Sequence, residues 1–165
     1  MQYCHHDSPL GTLLLAGHDD ALALIGLPGG KRPPKPARGW TEDARPFAAA
    51  RRQLDEFFAG KRERFDLDLE LDGTEFQQQV WTTLARIPYG RTWSYGELAK
   101  RIGRPKAVRA VGLANGANPL PIVLPCHRVI GADGSLTGYG GGMPAKRLLL
   151  ELEGALPQAR QRALV

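Results

Sequence analysis

An α+β chain is what the sequence predicts, with a small N-terminal α/β lobe followed by a mainly helical second half. Three observations carry that expectation. Residues 9–27, PLGTLLLAGHDDALALIGL, read as two short strands around a turn at His18-Asp19-Asp20. Residues 65–72, FDLDLELD, alternate strictly, with Phe65, Leu67, Leu69 and Leu71 on one face and carboxylates on the other, which is the pattern of a half-buried strand. From Gly73 the apolar period becomes helical. The division therefore falls at residues 1–72 and 73–165.

Each element follows from local chemistry. Residues 28–43, PGGKRPPKPARGWTED, are rich in Pro, Gly and Lys and read as an exposed loop. A helix is expected over 46–59: Pro46 suits a first turn, Phe47, Ala50, Leu54, Phe57 and Phe58 share a face, and Gly60 ends it. Thr74-Glu75-Phe76-Gln77 has capping-box spacing and opens a helix carrying Phe76, Val80, Trp81, Leu84 and Ile87. Pro88-Tyr89-Gly90 stops it. Ser94-Tyr95-Gly96-Glu97 is a second capping box, opening a helix through Arg101. After the turn Ile102-Gly103-Arg104-Pro105, a third helix is expected over Lys106 to Ala114, with Gly116 past its end. Two helices joined by a short Gly-containing turn make a helix-turn-helix outline. Leu120 to Pro125 is an apolar stretch that delivers Cys126 from a buried segment. Glycine-rich loops follow, then a last helix over Pro144 to Glu153 with Leu148, Leu149 and Leu152 inward and Gly154 as terminator. The tail, 155–165, reads as basic and loosely ordered.

Composition narrows the function. The 165 residues are 24% charged and 42% hydrophobic, enough for one core or two small lobes sharing an interface. The first residues, MQYCHHDSPLG, carry no basic n-region or apolar h-region, and no apolar run is long enough to span a membrane, so a soluble cytoplasmic protein is expected. Two cysteines make no disulfide framework. Residues 1–80 hold 10 basic against 13 acidic side chains, whereas residues 81–165 hold 12 against 4. Between Arg86 and Arg109 there are seven basic residues and one acidic. That field suits a polyanion, although a solvated basic surface has the same composition. Arg104, Lys106 and Arg109 cluster at the third helix, and Ala107, Ala110 and Ala114 give it a thin profile. Together they favour DNA binding.

One constellation carries chemistry. Pro125-Cys126-His127-Arg128-Val129 sets a thiol beside an imidazole and a guanidinium. A thiol is nucleophilic only as thiolate and needs a base or positive field nearby. The polar candidates around it are Asn118, His127, Arg128, Tyr139 and Glu153. Neighbours in an extended chain point apart, so His127 does not reach the sulfur directly; a water could bridge them, and a carboxylate such as Glu153 could hold the other imidazole nitrogen. Taken alone, a Cys-His pair is more often an inert core cysteine beside a surface histidine.

The surrounding motifs resolve that ambiguity. SYGELA with Tyr95, VRAVG with Arg109, Asn118-Pro119, PCHRVIG, Gly138-Tyr139-Gly140-Gly141 and LLELEG with Glu153 occur in an order and spacing that resembles the O6-alkylguanine-DNA alkyltransferases, the suicide DNA-repair methyltransferases. The resemblance is strong over residues 74–153 and loose over 1–72, where DSPLG and the 65–72 segment carry it. It implies an RNase H-like N-terminal lobe and a winged helix-turn-helix in the C-terminal domain. It further implies that Cys126 accepts an alkyl group from O6-alkylguanine in flipped-out DNA, O4-alkylthymine being a further candidate substrate. His127 would take the thiol proton through water, with Glu153 orienting it. By the same resemblance Asn118 braces the turn beside Cys126, and Tyr95 donates to the leaving guanine. Arg109 would fill the gap left by the flipped nucleotide, in a minor-groove approach joined by Tyr95, Arg104, Lys106, Ala107, Ala110 and Arg128. Val129, through its backbone, with Tyr139, Gly140, Gly141, Pro121 and Trp81, would form the substrate pocket. No cofactor or catalytic metal is required, the partner is double-stranded DNA carrying alkylated bases, and a monomer is expected.

Rival readings explain less. Cys4-His5-His6 invites a zinc site, but His18 does not complete a set of four ligands, and a polar strand-edge cluster is the preferred reading. A binding-only lesion-recognition protein of this kind lacks the acceptor cysteine that Cys126 supplies. A helix-turn-helix regulator leaves PCHRV, Asn118, Tyr139 and Glu153 unexplained. A papain-like hydrolase has its histidine far from the nucleophile and no use for basic helices.

Overall fold

The computed structural model describes residues 1–156, so most of the tail expected at 155–165 lies outside the described residues. Its N-terminal half is built on a four-stranded sheet, ordered β3-β2-β1-β4. Strands β1 (Gln2–Ser8), β2 (Gly11–His18) and β3 (Ala21–Gly26) are antiparallel neighbours, while β4 (Thr41–Glu42) runs parallel to β1. The hairpin between β2 and β3 turns at Asp19, in a left-handed conformation with φ 53° that a short polar side chain tolerates. In β2 the run Leu13-Leu14-Leu15-Ala16 is buried throughout, because both faces of this inner strand are covered. A 3₁₀ turn at Arg45–Phe47 leads into α1 (Ala48–Phe58), which drives Leu54 and Phe57 into the core.

Two expectations for this half need correction. Strand β1 was not anticipated, because its histidines mask the period-two pattern: Cys4 and His6 point inward and His5 outward. Cys4 is therefore a core residue at 3% exposure and not part of an edge cluster. His6 Nε2 pairs with Asp55 and its Nδ1 accepts from Arg51 Nε. Residues 65–72 form no ladder strand. They keep the alternation, with their apolar side chains half-buried, but join the sheet only through one parallel bridge, Leu22 to Leu69. The Gln53 amide holds the start of the segment by donating to the Asp66 carbonyl and accepting from its N–H.

The second half is helical, as expected. Helix α2 (Glu75–Leu84) begins with the reciprocal box of Thr74 and Gln77, and ends before Ile87, which is still buried. The Ser94 hydroxyl caps α3 (Tyr95–Arg101) by accepting from the Glu97 N–H, but the Glu97 carboxylate pairs with Arg101 instead of turning back, so only half of the second box forms. Helix α4 (Val108–Gly116) starts two residues later than the sequence suggests, without a side-chain cap. It turns Val111, Ala114 and Asn115 inward, which removes Ala114 from the exposed face. The Trp81 indole N–H donates to the Ala114 carbonyl at 2.7 Å and ties α2 to α4. A short parallel pair joins β5 (Trp93–Ser94) to β6 (Val129–Ile130) and anchors the segment after Cys126 to the start of α3. In α5 (Met143–Leu152) the fully buried leucines are Leu149 and Leu150, while Leu148 and Leu152 are half-buried.

Candidate active site

The chain around Cys126 is folded so that consecutive side chains part company. Leu120, Ile122 and Leu124 are buried and pull the loop before the cysteine inward. Asn118 braces that loop from inside: its Nδ2 donates to the Leu124 carbonyl at 2.7 Å and its Oδ1 accepts from the Leu120 N–H at 3.0 Å. Pro125 then leads into a 3₁₀ turn at Cys126–Arg128. The turn leaves Cys126 on the wall of a cavity and sends His127 and Arg128 into the interior behind it.

That interior is a closed charged cluster. An ionised Glu153 can only accept, so His127 donates from Nε2 to Glu153 Oε2 at 2.8 Å, and its Nδ1 is left as a lone pair. Arg128 grips the same carboxylate with a two-pronged contact, Nε to Oε1 and Nη2 to Oε2, each 2.8 Å, and gives Nη1 to the Ile87 carbonyl. Among the described residues, His127 Nδ1, Tyr139 Oη and Asn115 Oδ1 are buried without a partner. Behind β6, the wholly buried Lys146 donates from Nζ to the Val129 carbonyl at 2.7 Å and to the Thr137 carbonyl at 3.3 Å.

These surroundings set the charges. Burial pushes the Cys126 thiol above its ordinary range, partly opposed by the neighbouring polar groups of Asn118 and Tyr139 and the charge of Lys146. Burial likewise pushes His127 down, partly opposed by Glu153. Glu153 is pushed up by burial, but hydrogen bonds from His127 and Arg128 outweigh this and hold it below the usual carboxylate range. Burial lowers Lys146 to about 8. The resting site thus holds a neutral thiol and a neutral imidazole beside a compensated Glu153–Arg128 pair. The groups that draw the thiol back toward its ordinary range are Asn118, Tyr139 and Lys146.

The cavity above the sulfur measures about 220 Å³, below the range of drug-sized sites and suited to one planar ring system. Tyr95, Pro121, Asn118, Tyr139, Gly140 and Gly141 line it with Cys126, as the sequence suggests. Tyr95 shares a 2.8 Å hydrogen bond with the Thr137 hydroxyl. Arg104, Lys106, Arg109 and Ala110 are exposed around α4, and Ala107 is half-exposed. Three expectations fail on burial. Arg128 is 5% exposed and committed to Glu153, so it offers nothing to an outside partner. Trp81 is 2% exposed in the core between α2 and α4. Val129 is fully buried and lies off the wall of the cavity, and its carbonyl accepts from Lys146.

Other residues escaped the sequence reading. Lys146 looks like a surface lysine, yet it lies on the same α5 face as Leu149, Leu150 and Glu153, and that spacing was the available signal. Asn115 and Gly116 of α4 reach the cavity beside Gly112. Leu24, Ile25 and Leu27 of the N-terminal lobe, with Arg32 and Pro34 of the loop after it, supply one side of the cavity. No local pattern could announce that contribution.

Comparison with known proteins agrees across the chain. A family model described as the 6-O-methylguanine DNA methyltransferase DNA binding domain matches residues 75–155, and one described as the ribonuclease-like domain of the same protein matches residues 1–71. A methylated-DNA--protein-cysteine methyltransferase of Mycolicibacterium paratuberculosis is 54% identical over 154 residues, covering 93% of this chain and 92% of the relative. One from Methanosarcina acetivorans is 50% identical, covering 94% and 99%. The crystal structure of Mycobacterium tuberculosis OGT in complex with DNA superposes with a TM-score of 0.87 at 54% identity, over 93% of each chain.

Proposed function

Because the chain belongs to the 6-O-methylguanine DNA methyltransferase family, we propose a residue-level account of how it repairs alkylated DNA. The enzyme is a methylated-DNA–protein-cysteine S-methyltransferase that moves an alkyl group from O6 of guanine to its own cysteine, once per molecule. The observation that carries the assignment of Cys126 is its position on the wall of a base-sized cavity with a buried imidazole–carboxylate pair behind it. Division at residues 1–72 and 73–165 assigns DNA contact and alkyl acceptance to the second part. A DNA partner, monomeric action and a cytoplasmic location complete the reading. Among the described residues no helix is long and apolar enough to cross a membrane.

A damaged guanine inside the duplex hides its O6, so the nucleotide must be flipped out at a cost of a few kcal/mol. The exposed cations of α3, α4 and the turn between them offset that cost by binding phosphate. In the cavity the sulfur attacks the alkyl carbon, the S–C bond forms, and the C–O6 bond breaks. The thiol proton leaves toward the free Nδ1 of His127, and Glu153 stabilises the imidazolium. The guanine leaves with its electron pair and receives a proton at the base from the side of Tyr95. A neutral resting thiol fits a once-only reagent, since it resists alkylation and oxidation until a base fills the cavity.

The test is intact-mass spectrometry after incubation with duplex DNA carrying O6-methylguanine. The wild type gains one methyl group, located on Cys126 by peptide mapping. Transfer that persists in Cys126→Ser, or repeated turnover by one molecule, overturns the assignment.

A further inference from the structure

We propose that Leu113 is an apolar wedge that enters the DNA minor groove beside Arg109 and helps hold the duplex open, an inference that rests on the DNA-repair reading above. Leu113 is 74% exposed, whereas the next most exposed large apolar side chains among the described residues are Val108 at 39% and Met143 at 36%. Among the described residues it belongs neither to the core nor to the apolar side chains packed against that core, so the fold does not explain it. Single exposed leucines are common, and exposure alone assigns nothing.

Its neighbours assign it. Leu113 lies one helical turn beyond Arg109, on the same face of α4. Gly112 and Gly116 share that face, and both line the cavity that holds Cys126. Leu113 therefore projects from the rim of the cavity, between two positions without side chains. A groove that approaches the glycine backbone closely meets Arg109 and Leu113 as the projecting groups. The charge around them selects the occupant: Arg104, Lys106 and Arg109 are exposed here, and no acidic residue occurs between Glu97 and Asp133. A polyanion fits this face better than a protein surface. Minor-groove proteins use such apolar side chains to unstack a base step. Arg109 would then offer hydrogen bonds to the orphaned base, while Leu113 fills apolar space against the sugars and the adjoining pair.

The experiment compares wild type, Leu113→Ala and Leu113→Met in single-turnover transfer. The substrates are duplex DNA containing O6-methylguanine and free O6-benzylguanine, which needs no flipping. Leu113→Ala is expected to slow the duplex reaction roughly tenfold, as loss of a wedge should, and to leave the free-base reaction unchanged. Leu113→Met should recover most of the duplex rate. The salt dependence of DNA binding should keep its slope, because no charge is lost. An unchanged duplex rate, or equal slowing of both reactions, overturns the inference. A dimer in sedimentation that Leu113→Ala converts to monomer, with repair unaffected, assigns the face to a second copy of the chain and also overturns it. Failure of the wild type to react with methylated duplex would remove the repair reading itself, which is a separate result.

Discussion

Glu153 is the residue on which the back of the site depends. Its carboxylate satisfies His127 and both prongs of Arg128 with no exposed side-chain surface of its own. Glu153→Ala leaves a buried guanidinium uncompensated and should cost about 3–5 kcal/mol in urea unfolding. Glu153→Gln is milder for the fold, but it should slow alkylation by free O6-benzylguanine, as should His127→Ala. Unchanged rates with an intact fold would remove the relay from the mechanism. Lys146 acts differently. Its charge pulls the Cys126 pKa down against the burial that raises it. Lys146→Met should therefore move the rising limb of the pH–rate profile to higher pH, and a limb that stays in place would show that the lysine serves only as a tie between β6 and the glycine loop.

At the scale of elements, α4 and the glycine loop do separate jobs. Arg109 is the one arginine of α4 and is exposed. Arg109→Ala should slow repair of duplex DNA far more than reaction with free O6-benzylguanine, because only the first requires flipping. Equal slowing would place Arg109 in the pocket or the fold instead. Removing Arg104 or Lys106 should weaken binding to all sequences alike, with a salt slope lower by about one unit per lost phosphate contact. The loop at 138–142 is locked by backbone proximity. A Cβ at Gly30 would overlap the Gly140 carbonyl oxygen, and one at Gly29 would lie 2.6 Å from that of Gly141. Gly30→Val should push the wall of the cavity aside and slow the free-base reaction as well as duplex repair, the pattern opposite to that of Arg109→Ala.

Over the whole molecule, the two halves meet at the active site instead of merely sharing a linker. The N-terminal lobe closes one side of the cavity with Leu24, Ile25 and Leu27, and β3 bonds to the turn before Cys126 through the Ile25 N–H and the Pro119 carbonyl at 2.9 Å. Acid should loosen this arrangement. Glu153 is held below its ordinary value, so its contribution to stability is present above the unfolded carboxylate pKa and is lost as pH falls through the folded value. Thermal unfolding followed below about pH 4.5 should show the loss, and Glu153→Gln should flatten that part of the profile.

The sequence by itself determined the helical period after Gly73, the capping of α2, the hairpin at Asp19 and the thiol–imidazole motif, because each is written in residues close along the chain. It also named Cys126, His127, Glu153, Asn118, Tyr95 and Tyr139 as a set, since their motifs resemble those of a known family. Strand β1 stayed hidden because inward-facing His6 breaks an apolar pattern, although Asp55 and Arg51 satisfy it in the fold. The alternating 65–72 segment looked like a strand because alternation reports a half-buried extended chain, not the ladder partner that makes one. Only tertiary structure decided that Arg128 faces a buried carboxylate and not DNA, that Lys146 lies inside, and that the N-terminal lobe walls the cavity. Each of those outcomes depends on which distant group supplies the partner for a charge or covers a face, and no short stretch of sequence carries that information.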